Sequence, residues 1–122
     1  MATTDAILGL LADPATAPAA HIGDFTRTNA LAQKGRALLA LGRPQEAAHT
    51  FTDARLVGAR VEVPLLQAIA ALGQAQALAE LGEREPALGA AREARAFAET
   101  AGDPARLAEA TALLAALAAT ED

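Results

Sequence analysis

The chain repeats itself, because the segment that begins at Ala37 recurs at Ala77. The distance between the two starts, about 40 residues, is here called the repeat offset. The two segments carry the same residue at matching positions: Leu38/Leu78, Leu41/Leu81, Gly42/Gly82, Ala47/Ala87, Ala54/Ala94 and Arg55/Arg95. A fixed period of this size indicates stacked supersecondary units, each of which cannot bury its apolar face alone. The repeat predicts an elongated helical protein whose function depends on its surface.

The composition favours helices and removes several kinds of chemistry. Hydrophobic residues make up 52% of the 122 positions, but aromatic residues only 2%, and Ala and Leu dominate. Strong helix formers with few β-branched residues give a low expectation for strands. The chain has no Cys, Ser, Tyr or Trp. Disulfides, thiolate zinc sites and most hydroxyl nucleophiles are therefore excluded.

Glycine and proline mark the ends of the helices. Gly42, Gly82 and Gly102 stand where a helix can end in the left-handed conformation, whereas Pro44, Pro64 and Pro104 stand where the next helix can begin. Asp24 and Asp103 are predicted N-caps. The expected helices are residues 4–12, 24–41, 44–60, 64–82, 83–102 and 104–119, with inter-helix loops near 42–43, 61–63, 82–84 and 102–103.

This punctuation divides the chain into two parts. Residues 1–23 form a short helix and a Pro/Ala linker, with the linker at 14–23, and residues 24–119 form the repeat domain. The repeat domain consists of units 24–63 and 64–103 and a closing helix, 104–119. Short connections of this kind place consecutive helices antiparallel and in contact.

Apolar residues at helical spacing predict which faces pack. The expected stripes are Leu31, Gly35, Leu38, Leu41 in the first helix of the first unit and Ala71, Ala75, Leu78, Leu81 in the second unit, facing Ala47, Phe51, Ala54 and Ala87, Ala91, Ala94. Small residues let the helix axes approach closely, and larger ones fill the gaps between layers: Leu31, Leu38, Leu56, Leu78 and Phe97.

With these small and large positions the chain resembles the tetratricopeptide-repeat family. It resembles a variant of that family with repeats of about 40 residues, which equals the repeat offset. The residues that carry the resemblance are Gly35, Leu38, Gly42, Ala47, Phe51 and Ala54, then Ala75, Leu78, Gly82, Ala87 and Ala94. Ala91 replaces an expected aromatic residue, Leu31 and Ala71 replace another, and Lys34 and Gln74 stand where Leu is frequent. A related αα-repeat or a compact helical bundle is the alternative.

The resemblance implies an all-α, right-handed superhelix with a concave face formed by the first helix of each unit. The residues expected to bind a partner there are Asn29, Gln33, Arg36, Leu39, Leu72, Gln76 and Glu80. The resemblance also places Ile69, Gly73 and Glu109 on this face. Their polar groups could bind an extended peptide backbone, and the two leucines offer apolar contact. The family's clamp for a peptide carboxylate is not expected, because Arg36 is the only candidate for it.

Charge and the remaining motifs argue against other functions. The formal net charge of −5 opposes nucleic-acid binding. No apolar run is long enough for a membrane span, and no targeting signal is evident, so a cytoplasmic protein is expected. His49 and Asp53 share a helix face but lack a third metal ligand, and His21 lies in the linker. No catalytic residue, metal site or cofactor motif is predicted.

Three functional hypotheses follow. The first is a non-catalytic adaptor that holds a peptide or protein partner in the concave groove. The second is a structural or accessory subunit that forms homo-oligomers, because Leu113, Leu114 and Leu117 cover more of the last helix than one neighbour can bury. The third is a regulatory module that controls transcription by binding another protein.

Overall fold

A computed structural model describes residues 20–119, and every regular element in this range is an α-helix. The helices are α1 (Ala20–Ala40), α2 (Pro44–Gly58), α3 (Pro64–Glu80), α4 (Arg84–Ala101) and α5 (Pro104–Ala119). The all-α prediction is confirmed, and the loops lie where glycine and proline placed them. The predicted helix at 4–12 lies outside the described residues.

The first described helix begins earlier than predicted. Helix α1 starts at Ala20, so Asp24 lies inside it and does not cap its N-terminus. The backbone carbonyl of Asp24 accepts a hydrogen bond of 2.8 Å from the hydroxyl of Thr28, one helical turn further on. An isolated glycine is tolerated in a helix, and Gly23 does not interrupt this one. The expected linker therefore ends before residue 20.

Three helix ends share one hydrogen-bonding pattern. Gly42, Gly82 and Gly102 adopt positive φ values of 74°, 77° and 66°. At the first of these ends the N–H of Gly42 donates to the carbonyl of Leu39, and the N–H of Arg43 donates to that of Leu38. This is the Schellman motif, which satisfies carbonyl groups that the helix leaves unpaired. Glycine is required because the left-handed conformation costs other residues energy.

The order of contacts between the helices is open, which means that the first described helix does not contact the last. Each contacts the next along the chain, and α3 also contacts both α1 and α5. Within the described residues the backbones of α1 and α5 are not in contact, and neither are those of α2 and α4. Helices α1, α3 and α5 therefore form one layer, here called the inner layer, and α2 and α4 form the outer layer.

The aromatic ring of Phe51 joins the two units. The side chain is fully buried, and it packs in the cluster that holds Leu38 and Ala77. A Cβ atom built on Gly35 would lie 2.7 Å from the ring, and one built on Gly73 would lie 2.2 Å from it. The ring thus occupies space that only two glycines, one in α1 and one in α3, leave open.

The predicted packing stripes are correct except near the helix ends. Ala54 and Ala94 are buried, as expected, with exposed fractions of 0% and 1%. Leu41, Leu81 and Leu56 are exposed, although the stripe or the gap-filling role predicted burial. Leu41 and Leu81 follow the last residue of their helices, and Leu56 lies on a part of α2 that no described helix covers.

Candidate partner-binding groove

The inner layer carries a small groove where α1, α3 and α5 meet. Its volume is about 130 Å³, and we call it the inner groove. The residues that line it are Arg36 from α1, Ile69, Leu72, Gly73 and Gln76 from α3, and Arg106 and Glu109 from α5. The groove exists because α3 contacts both of its inner neighbours, which brings together residues that lie far apart in sequence.

Only some of the predicted partner-binding residues line the inner groove. Three of them, Arg36, Leu72 and Gln76, line the inner groove. Asn29, Gln33 and Glu80 are exposed but do not line it. Leu39 is half-buried and packs against the cluster around Phe51.

Leu72 is not the exposed apolar contact that we expected from the sequence. Its exposed fraction is 5%, and it packs with Ala71, Ala94 and Ala110. The small side chain of Ala110 lets α5 approach α3 closely, and this approach covers most of Leu72. Leu72 therefore forms the floor of the inner groove.

Arg106 is the groove residue that sequence reasoning missed. It lies three positions before Glu109, which the tetratricopeptide resemblance placed on the concave face, and residues three apart share a helix face. Asp103 caps the N-terminus of α5 by accepting hydrogen bonds from the N–H groups of Ala105 (3.1 Å) and Arg106 (3.2 Å). The other carboxylate oxygen of Asp103 lies 3.6 Å from Nη1 of Arg106.

The charged groups of the inner groove are unevenly paired. Within the described residues Arg36 makes no ion pair, whereas Arg106 is paired with Asp103. Glu109 lies at the same groove without an ion pair of its own among residues 20–119. Gln76 is half-buried and offers both a donor and an acceptor. The accessible surface of the groove is therefore mainly polar, with Ile69 and Leu72 beneath the polar groups.

A second polar cluster surrounds Gln74, one of the positions at which the sequence departs from the expected pattern. One nitrogen of Arg55 donates to Oε1 of Gln74 (2.7 Å), and the other forms an ion pair with Glu93. The amide nitrogen of Gln74 donates to the hydroxyl of Thr52 (3.0 Å). Through these two hydrogen bonds Gln74 joins α2 to α3. Arg55 then extends the connection to α4.

The leucines expected to mediate self-association are largely packed inside the chain. Leu117 has an exposed fraction of 8% and lies in a cluster with Ala87 and Leu88 of α4. Leu113 and Leu114 are half-buried against the same helix. Leu117 is therefore covered within the chain, whereas Leu113 and Leu114 keep part of their surface exposed, and their role in self-association stays a prediction.

The described residues provide no metal-binding cluster and no membrane span. Within residues 20–119 no three His, Cys, Asp or Glu side chains come together, and His49 and Asp53 gain no third ligand there. No helix in this part of the chain is long and apolar enough to cross a membrane. The side chain of His21 lies outside the described residues.

The comparisons with known proteins add no relative. No protein-family model matches the chain, and neither a curated protein nor a solved structure matches it. The tetratricopeptide resemblance therefore stays a prediction from the sequence.

Proposed function

We propose that the chain is a non-catalytic interaction module of the tetratricopeptide type, which binds a peptide or protein partner along its inner layer. The observation that carries the proposal is the inner groove, where Arg36, Gln76 and Arg106 surround a floor that contains Ile69 and Leu72. Polar groups that converge on one concave site are typical of places where a ligand is oriented. The open order of the helices supports a superhelical stack, which would make this layer concave.

The groove indicates the chemistry of its occupant. Its volume of about 130 Å³ suits one medium-sized side chain and not a cofactor. Gln76 can bind the backbone of an extended peptide on either side of that side chain. The guanidinium of Arg36, which makes no ion pair within residues 20–119, favours an acidic residue or a carbonyl group next to it. We therefore propose a peptide with one medium-sized anchor residue and a neighbouring acidic residue.

Selection from a random peptide library displayed on phage tests the proposal. Peptides selected on the full chain are expected to bind about tenfold more weakly to Arg36→Ala and Gln76→Ala, because each change removes a hydrogen-bonding group from the groove. Arg92→Ala is the matched control, since Arg92 is exposed on the outer layer. If selected peptides bind Arg36→Ala and Gln76→Ala as tightly as the parent chain, the inner groove is not the binding site.

Self-association is the second candidate function. Leu113 and Leu114 remain partly exposed on α5, the last helix of the described stack. A homodimer through this end would make the chain a structural or accessory subunit. Sedimentation equilibrium at high micromolar concentration tests this directly, and a monomer there would exclude it. We propose a cytoplasmic location and neither nucleic acid nor membrane as a partner, on the basis of the acidic, cysteine-free composition.

A further inference from the structure

A second groove lies on the first helix pair, away from the inner groove. Arg27 and Leu31 of α1 and Asp53, Leu56 and Val57 of α2 line it, and its volume is about 330 Å³. We call it the end groove. Leu56 has an exposed fraction of 66%, and Leu31 and Val57 are half-buried. Covering these three apolar side chains with another element would remove apolar surface from water and so stabilise the chain.

The second unit shows what covers the matching surface there. By the repeat offset, Arg27, Asp53 and Val57 correspond to Gln67, Glu93 and Phe97. Gln67 and Phe97 face Ala54, Arg55, Gly58 and Ala59 at the end of α2, and Glu93 forms the ion pair with Arg55. Ala71, which corresponds to Leu31, is fully buried. Helix α2 therefore covers in the second unit the surface that remains open in the first.

The same offset identifies a segment of this chain that could cover the end groove. Moving α2 back by one repeat offset gives positions 4–18, which include the predicted helix at 4–12. In α2 the buried residues include Ala47, Thr50 and Phe51. The matching positions carry Ile7, Leu10 and Leu11. The N-terminal segment thus has large apolar side chains at three of the positions that α2 buries, while Pro14 and Pro18 stand at the positions of Ala54 and Gly58, beyond the predicted helix.

We propose that residues 4–12 form a helix that docks on the end groove of the same chain and takes there the place that α2 takes on the second unit. Residues 13–19 connect this helix to α1, a link close in length to residues 59–63, which join α2 to α3. Short links of this size join neighbouring helices in helical bundles. Docking gives the repeat array the terminal cap that such arrays need.

One residue changes the fit relative to the second unit. Gln33 stands in α1 where α3 has Gly73, the residue that admits the ring of Phe51. The side chain that would meet Gln33 is Leu11, which is smaller than Phe. The docked helix therefore lies farther from α1 than α2 lies from α3. This proposal does not depend on what the inner groove binds.

Cross-linking in the full chain tests the proposal. Because the chain has no native cysteine, only the introduced thiols can react. In the second unit the side chains of Thr52 and Gln74 are joined by a hydrogen bond, and the matching positions are Ala12 and Lys34. The double variant Ala12→Cys/Lys34→Cys is treated with a short bis-maleimide. The control is Ala12→Cys/Thr111→Cys, because Thr111 is exposed on α5, which does not contact α1.

The first double variant is expected to give an internally cross-linked monomer in a yield about tenfold above the control, because docking raises the effective concentration of one thiol near the other. Adding Leu11→Asp should abolish the excess, whereas Ala6→Asp, at the position of the exposed Glu46, should preserve it. A yield equal to the control overturns the proposal. A product formed only between two molecules also overturns it and assigns the end groove to a second copy.

Discussion

Phe51 is the residue on which the contact between the two units depends most directly. Its ring is fully buried, and its immediate neighbours in α1 and α3 are the glycines at positions 35 and 73. Burying one aromatic side chain stabilises the fold much more than burying one alanine side chain, because the ring has a larger apolar surface. A close approach of this kind leaves no space for an added methyl group.

Gly73→Ala is therefore expected to lower the free energy of unfolding by about 3 kcal/mol, because the new Cβ would lie 2.2 Å from the Phe51 ring. Gly89→Ala is the matched control. Gly89 also lies within a helix, but nothing is within 4 Å of its added Cβ, so the change should raise stability by about 0.5–1 kcal/mol. Urea unfolding followed by circular dichroism measures both. Equal effects of the two substitutions would contradict the close approach.

Ala54 provides a second test of packing at single-residue resolution. The side chain is fully buried in α2. Ala54→Leu is expected to cost about 1–3 kcal/mol through overpacking. A denaturation midpoint unchanged from that of the parent chain would mean that Ala54 does not face its neighbours closely. Ala59→Leu serves as the control because Ala59 is exposed in the following loop.

At the scale of single elements, the ends of the helices are better specified than their faces. Three ends combine a left-handed glycine with a Schellman pattern of hydrogen bonds, and Pro44, Pro64 and Pro104 each occupy the first position of a helix. The end of α2 differs, because no glycine follows it. Glu62 adopts a positive φ of 52° in the longer loop that results. That conformation costs energy for a residue other than glycine.

The cap of α5 is expected to stabilise that helix measurably. Asp103→Ala removes the acceptor of two backbone N–H groups and should lower the free energy of unfolding by about 1 kcal/mol. Asp103→Asn keeps a side-chain oxygen at the cap and should cost only a few tenths of a kcal/mol, from the weakened pair with Arg106. Thermal unfolding of the two variants separates the cap from the charge. Equal losses would show that the ion pair contributes more than the cap.

For the whole molecule, stability depends on contacts between successive layers. Helix α3 contacts every other described helix, so it holds the stack together. The side chain of Arg55 connects α2 to α3 and α4 through Gln74 and Glu93. Both partners of Arg55 are partly exposed, so this cluster adds specificity of alignment more than stability.

Substitutions distinguish a role of the α5 leucines in folding from a role in assembly. Leu117→Asp should cost about 3 kcal/mol or more and reduce helicity, because it buries a charge against α4. Leu41→Asp should change stability little, since Leu41 has an exposed fraction of 66%. Circular dichroism and light scattering on the same samples measure helicity and mass. If Leu117→Asp lowers the mass of an oligomer and leaves the melting curve unchanged, Leu117 belongs to an interface between chains.

The sequence predicted the helices well because their signals are local. Glycine at a helix end and proline at a helix start act through the backbone of their own residue, and the repeat offset fixes which helices are equivalent. The exception is the start of α1, which lies at Ala20, so that Asp24 stands inside the helix and does not cap it. Capping contributes only about 1 kcal/mol, so it does not decide a helix start by itself.

Only the tertiary structure decided which residues are neighbours in space. Leu72 is buried against Ala110 of α5, and Arg36 and Arg106 line one groove, because helices that do not follow one another in sequence lie close together. The burial of Leu117 depends on how closely α4 approaches α5. Helical periodicity gives the direction of each side chain around its own axis, but not the distance to the facing helix. That distance is set by small residues at the contacts, such as Gly73 and Ala110. The sequence by itself thus determined the elements and their order, whereas packing determined the groove.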